Sequence, residues 1–236
     1  MVDYQDFAAK ALHDETLTRS ECQAVFDTPD EQLLGLLQAA FTVRSHYFGK
    51  TVRLQMLQNA KSGACQEDCH YCSQSAISTA LIERYSLVPQ QQMIEGARQA
   101  AASKAQRYCI VISGRSPLDR EIDEIAGAVR AIKQEIPIQI CCSLGLMNEQ
   151  QAKRLKAAGV DRVNHNLNTS EAFHASICTT HTFQDRRSHR NRFPIRPLVR
   201  SGWCGVGLGR YAWCRLRRER LRLYSSYGSP DRLRRL

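Results

Sequence analysis

From residue 51 to residue 170 the chain alternates four times between a short β-prone run and a longer stretch with helical spacing. No other feature restricts the fold as much. Residues 52–56 alternate apolar and polar like a strand, and residues 90–103 then place Met93, Ile94, Ala97 and Ala101 on one helical face. Residues 108–113, a Gly-Arg-Ser-Pro turn and residues 118–135 repeat the scheme, with Ile122, Ile125, Val129 and Ile132 on one side. Residues 138–142 lead to a helix capped by Asn148 and closed by Gly159, and residues 162–167 to a helix opening at Thr169 or Ser170. Such an order implies parallel strands with right-handed crossovers, and so an α/β sheet or barrel whose chemistry sits at the carboxyl ends of the strands.

Residues 1–50 read as a helical cap ahead of this body. Thr28 is the expected N-cap, with Pro29 and Glu31 behind it, then Leu33, Leu34, Leu37 and Phe41 at helical spacing and Gly49 as the stop. At 43% hydrophobic and 24% charged residues the chain reads as globular, and its apolar runs fall short of the roughly 18 residues of a membrane span. No basic, apolar leader opens the sequence, so a cytoplasmic location is expected. Ten cysteines in that compartment point to metal or redox chemistry rather than disulfides.

Three of them are bunched in GACQEDCHYCSQS: Cys65, Cys69 and Cys72, spaced Cys-x3-Cys-x2-Cys. A loop that short can wrap three thiolates around one corner of a four-iron cubane and leave the fourth iron open. The alternative, structural zinc, wants four closed ligands, usually in two separated pairs, and His70 between two of the cysteines is badly placed to supply one. Further on, Asn164, Asn166 and Asn168 are two apart and so share one face of the fourth strand. Carboxamides aimed inward need hydrogen-bonding partners, from a ligand or from an internal network. Adjacent strand residues face opposite ways, so only one of Cys141 and Cys142 can share a face with Cys109. Cys22, Cys142 and Cys178 read as small buried hydrophobes, and His165, His174 and His181 as structural.

The cysteine triad with Tyr71 before its last member resembles the radical S-adenosylmethionine (SAM) enzymes. AKSGACQEDCHYCSQS, YCIVISGRSPLDREID, CCSLGLMNEQQAKRLKAAGVDRVNHNLNTS and TTHTFQDR are similar, more narrowly, to the biotin synthase family, from about residue 55 to residue 186. The resemblance implies a (βα)8 TIM-type barrel, here only its first half, over residues 51–186. It also implies Cys65, Cys69 and Cys72 as ligands of a 4Fe-4S cluster that delivers an electron to SAM, yielding a 5′-deoxyadenosyl radical. Cys109 and Cys141 fall at two of the four ligand positions of a second, 2Fe-2S cluster that donates sulfur. Asn166 and Asn168 match residues at the cofactor ribose, Asn166 also one at the ureido ring of dethiobiotin, and Arg186 a basic residue near the cofactor carboxylate. The implied partners are dethiobiotin, SAM, a flavodoxin-type electron donor and a second copy in a homodimer.

Residues 187–236 depart from that pattern. Of the net charge of +10, everything positive comes from residue 186 onward, which holds fifteen arginines, no lysine and two acids; the first 185 residues carry eighteen basic and twenty-one acidic groups. The family's third cysteine and its arginine for the second cluster have no recognisable counterpart, Cys204 standing near the right place in the wrong context. Arg-rich, Lys-free sequence is what GC-rich coding DNA gives when read out of frame, and a frame change near residue 186 is the expectation. The alternative is a natural basic tail binding phosphates without sequence preference, although no nucleic-acid-binding motif accompanies it.

Overall fold

The structure, a computed structural model, describes residues 2–191 apart from Ala64. The Arg-rich stretch from residue 192, with Cys204, lies outside the described residues. The chain divides into two compact units, the first running to Val52 and the second beginning at Arg53.

In the first unit, α1 (Tyr4–Leu12) is capped by the Asp3 carboxylate, which accepts from the Gln5 and Asp6 amides, and α2 (Arg19–Phe26) by a capping box of Thr18 and Glu21. A 3-10 turn (Asp30–Gln32) leads into α3 (Leu33–Phe48), which ends at Gly49 with φ +54°, a conformation glycine adopts without a Cβ penalty. Tyr4 and Ala8 of α1 pack against Ala39 and Val43 of α3. Thr28 is not the expected N-cap. Its hydroxyl donates back to the Ala24 and Val25 carbonyls, at 3.1 and 2.9 Å, and so closes α2. Leu34, Leu37 and Phe41 are exposed, because the small residues of α3 make its contact with α1.

The second unit is a four-stranded parallel sheet in the order β1-β2-β3-β4, made of β1 (Gln55–Lys61), β2 (Arg107–Ile112), β3 (Gln139–Ser143) and β4 (Arg162–Val163). The helices α4 (Gln90–Ala102), α5 (Asp119–Glu135), α6 (Glu149–Ala158) and α7 (Glu171–Ile177) follow the strands in turn, and α8 (Phe183–Asn191) runs across the composition break at Arg186. Four consecutive βα units with parallel neighbours form an arc of an α/β barrel.

The apolar core lies between this sheet and its helices. Tyr108, Ile110 and Ile112 of β2 and Ile140 and Cys142 of β3 meet Met93 and Ala97 of α4, Ile122, Ile125, Val129 and Ile132 of α5, and Leu155 of α6. Strand alternation therefore turns Arg107, Cys109 and Cys141 to the opposite, inner face. Asn148 and Gln151 form the expected capping box on α6, and Gly159, at φ +107°, closes that helix.

Two strand boundaries differ from the sequence reading. β1 starts at Gln55 rather than residue 52, where pairing with Arg107 begins. β4 stops at Val163 rather than 167, because its partner β3 ends at Ser143: after the Asn164 amide donates to the Cys142 carbonyl at 2.8 Å, the chain leaves the sheet. Among the described residues no helix is long and apolar enough to cross a membrane.

Candidate functional site

The three-thiol loop leaves the carboxyl end of β1 and folds back on itself. The Cys72 amide donates to the Cys69 carbonyl (3.1 Å), Ser75 to Cys72 (3.2 Å) and Ala76 to Glu67 (2.8 Å), while the Gly63 amide donates to Gln74 Oε1 (3.0 Å). These bonds hold Cys69 buried with Cys65 and Cys72 half-buried on either side. Burial pushes the Cys65 thiol up, and the Cys69 thiol up to about 11.

The acidic residues inside the motif carry much of its anchoring, which their place among the cysteines did not reveal. The Asp68 carboxylate accepts from the Thr179 and Thr180 amides, at 2.9 and 3.2 Å, and from both hydroxyls, and these bonds hold it well below the usual carboxylate range. Glu67 is buried, which works to raise its pKa; its bonds to His181 and to the Thr180 hydroxyl (2.8 Å) outweigh that and hold it low. Arg115 lies 3.5 Å from Glu67 and donates to the Thr180 carbonyl. The His70 amide donates to the Ile177 carbonyl at 3.0 Å. The loop is thereby fixed to the segment between α7 and α8, more than a hundred residues on.

Cys178 and His181 belong to the same cluster of side chains. Cys178 is buried, as read from sequence, but its sulfur lies 3.7 Å from that of Cys69 and 3.2 Å from His181 Nδ1, so it is not simply an apolar filler. Cys22, in the first unit, is half-buried rather than buried.

Tyr71, Asn166, Asn168 and Arg186 converge beside this loop. Asn168 donates its amide to the Tyr71 hydroxyl, and Arg186 donates to the Asn166 carbonyl (3.1 Å), to the Tyr71 hydroxyl (3.4 Å) and to His181 Nε2 (2.6 Å). Burial pushes the Tyr71 phenol up, with the Arg186 charge opposing. The three asparagines do not share a strand face. They stand on the loop after β4, and Asn168 has φ +66°, a left-handed turn that asparagine tolerates better than most residues. Asn166 and Asn168 are exposed.

Cys109 and Cys141 are direct partners in the β2–β3 register, and their thiols share a hydrogen bond. That bond, with burial, holds the Cys109 proton firmly, and it lowers Cys141, helped by Arg107 and Arg162. Cys142, fully buried in the apolar core, faces away. Arg107 is buried on the inner face beside the pair, its guanidinium donating to Gln55 (3.0 Å) and Gln139 (3.1 Å) while its Nε has no partner. In the sequence it stands just outside the run read as a strand, residues 108–113.

The family model for the Radical SAM superfamily matches residues 60–191, from the last residues of β1 through α8. The chain belongs to the radical SAM superfamily. Among curated superfamily relatives, biotin synthase of Bacillus cytotoxicus is 46% identical over 185 residues, covering 78% of this chain and 56% of that protein. Biotin synthase of Bacillus pumilus is 48% identical over 187 residues, 79% and 56% of the two chains. The chain thus spans little more than half the length of these relatives. Among solved structures, methylornithine synthase superposes with a TM-score of 0.68 at 21% identity, over 78% of this chain and 54% of the other, which supports the barrel architecture.

The donor set suits the group this superfamily is named for. Three thiols on one anchored loop match iron as their counter-charge, and Tyr71, Asn168 and Arg186 gather polar groups beside it. For a second cluster the fit is half complete: Cys109 and Cys141 offer two thiols in register, and the adjacent Cys142 is turned into the apolar core.

Proposed function

We propose that this chain carries the cofactor-cleaving portion of a biotin synthase, which inserts sulfur into dethiobiotin. The observation that carries the reading is the convergence of the three-thiol loop with Asn166, Asn168 and Arg186, with Cys109 and Cys141 paired on the inner face of the same sheet. Sequence identity of 46–48% to biotin synthases supports it.

In this reading Cys65, Cys69 and Cys72 hold a 4Fe-4S cluster, which supplies the electron for reductive cleavage of SAM. Acid–base groups cannot activate the saturated C–H bonds of dethiobiotin, so a radical cofactor is the chemistry the substrate demands. Arg186 sits beside the carboxylate of SAM, Asn166 and Asn168 orient its ribose, and Asn166 also meets the ureido ring. Glu67 and Asp68 keep the loop in place by gripping the segment after α7. Cys109 and Cys141 contribute two ligands toward a 2Fe-2S sulfur donor. The reading brings with it a flavodoxin-type electron donor, a homodimer and a cytoplasmic location. The domain division proposed is a helical cap over residues 1–50, the partial barrel over 51–186 and a tail over 187–236 that is not a domain of its own.

The test is anaerobic reconstitution of the full chain with iron and sulfide, followed by chromatography of 5′-deoxyadenosine and biotin after adding SAM, reductant and dethiobiotin. The expected result is 5′-deoxyadenosine formation that Cys65→Ser abolishes. A fully loaded four-iron chain that leaves SAM intact would overturn the proposal.

A further inference from the structure

Cys69, Cys178 and His181 are the one group of three His, Cys, Asp or Glu side chains among the described residues whose donor atoms all lie within 4.8 Å of one another. All three are buried, at 6, 2 and 6% exposure. A tetrahedral zinc ion with sulfur ligands at about 2.3 Å and nitrogen at about 2.0–2.1 Å sets its sulfurs about 3.8 Å apart and each sulfur about 3.6 Å from the nitrogen. The observed separations are 3.7 Å between the sulfurs of Cys69 and Cys178, and 3.2 and 3.7 Å from Cys178 Sγ to His181 Nδ1 and Nε2.

We propose that Cys69, Cys178 and His181 form a site for a single thiophilic divalent ion, Zn2+ by its donor set, in the cluster-free chain. Two thiolates and one imidazole suit zinc better than the oxygen-seeking cations. The surroundings are arranged for it. A turn of the His181 ring aims one nitrogen at the two sulfurs, and the buried Glu67 carboxylate, now on Nδ1, is at hand as the outer-sphere partner that fixes ring orientation at many zinc sites. Ion entry at Nε2 displaces the bond from Arg186 Nε, and at Nδ1 the bond to Glu67. Binding replaces one thiol proton on each cysteine, so two protons leave for each ion bound and affinity rises with pH. The fourth position is left to water.

Cys69 is also a member of the three-thiol loop. An ion held here takes that sulfur away from the proposed four-iron cluster, so one cysteine serves two mutually exclusive occupants. This competition rests on the cluster reading; the ion site itself does not.

The test uses the full-length chain, stripped of iron and kept anaerobic with a non-thiol reductant, titrated with Co2+ and back-titrated with Zn2+. The expected result is a near-ultraviolet sulfur-to-cobalt band with intense tetrahedral visible bands. Cys178→Ser and His181→Ala each weaken binding at least tenfold, while Cys65→Ser and Cys72→Ser leave it unchanged. Circular dichroism identifies any variant that fails to fold, and His181→Asn then replaces it. The proposal is overturned if wild type shows no tetrahedral bands, or if they depend on Cys65 or Cys72 but not on Cys178. Iron and sulfide reconstitution of the same samples reports separately on the four-iron cluster, so loss of one reading is not mistaken for loss of the other. With Zn2+ added first, reconstitution of wild type slows, and that of Cys178→Ser does not.

Discussion

Arg186 reaches back twenty residues along the chain to bond the Asn166 carbonyl at 3.1 Å, and the same guanidinium touches the Tyr71 hydroxyl between two cysteines of the three-thiol loop. One side chain on α8 thereby ties the loop after β4 to the loop after β1. Replacing it with lysine keeps the charge but not the fork that makes several bonds at once. Both Arg186→Ala and Arg186→Lys are expected to weaken SAM binding to the reconstituted protein, the alanine variant by about tenfold or ~1.4 kcal/mol. Equilibrium dialysis against labelled SAM measures this, and unchanged binding in both variants places Arg186 outside the cofactor site.

Asp68 gives the loop a predictable acid sensitivity. Its pKa is lowered chiefly by the Thr179 hydroxyl and amide, so its contribution to stability is complete above the unfolded-state value, about 3.9, and fades as pH falls toward the lower folded value. Stability of wild type should therefore rise with pH across the interval below about pH 4. Asp68→Asn should flatten that slope in denaturant melts taken at successive pH values. An equal slope in both proteins removes Asp68 from the account.

Cys141 and Cys142 are neighbours with opposite expectations. Cys142→Ser buries a hydroxyl in an apolar core without a ready partner and should cost about 1–3 kcal/mol in denaturant unfolding, with the iron content of the inner-face pair unchanged. Cys141→Ser should lower iron bound at the inner face and shift stability less. The reverse pattern would show that the two side chains have been assigned to the wrong faces.

Gly145, just after β3, has φ +78°, and a Cβ there would stand 2.4 Å from the Arg115 carbonyl oxygen, which already accepts from the Leu146 amide at 2.7 Å. Gly145→Ala should lower the free energy of unfolding, read from denaturant melts, by about 1–3 kcal/mol through strain and backbone collision. Gly114, with only one atom at 3.8 Å, has an open position but φ +137°, and serves as the comparison.

The βα order was legible in the sequence because each helix carries a full apolar stripe, as in Ile122, Ile125, Val129 and Ile132, and because Asn148 and Gly159 mark both ends of α6. The extent of β4 was not. Residues 162–167 have strand character, yet a strand lasts only as long as its neighbour, and β3 ends at Ser143. Thr28 was misread because a threonine before Pro-Asp-Glu can serve the helix behind it as well as the one ahead. In the site, the cysteine triad was visible by spacing alone. The partners Glu67–His181 and Asp68–Thr179 are separated by more than a hundred residues, and only the fold brings such pairs together. Cys178 was placed correctly in the interior, but burial says nothing about whether a sulfur faces carbon or another sulfur.

The pairing of Cys109 with Cys141 depends on an alignment one residue wide. β3 is tied at Ile140 to the Asp161 carboxylate, which accepts from the Ile140 amide at 2.7 Å and from Lys133 at 2.6 Å. A one-residue slip would present Cys142 to Cys109 in place of Cys141, sulfur for sulfur, and turn Ile140 inward. Composition and hydropathy would be unaltered by such a slip, and a thiol would still face Cys109; the change is that Ile140 enters the inner face while Cys141 turns toward the core. The tandem cysteines thus keep a sulfur opposite Cys109 in either registration, and the side that Ile140 takes is what tells the two apart.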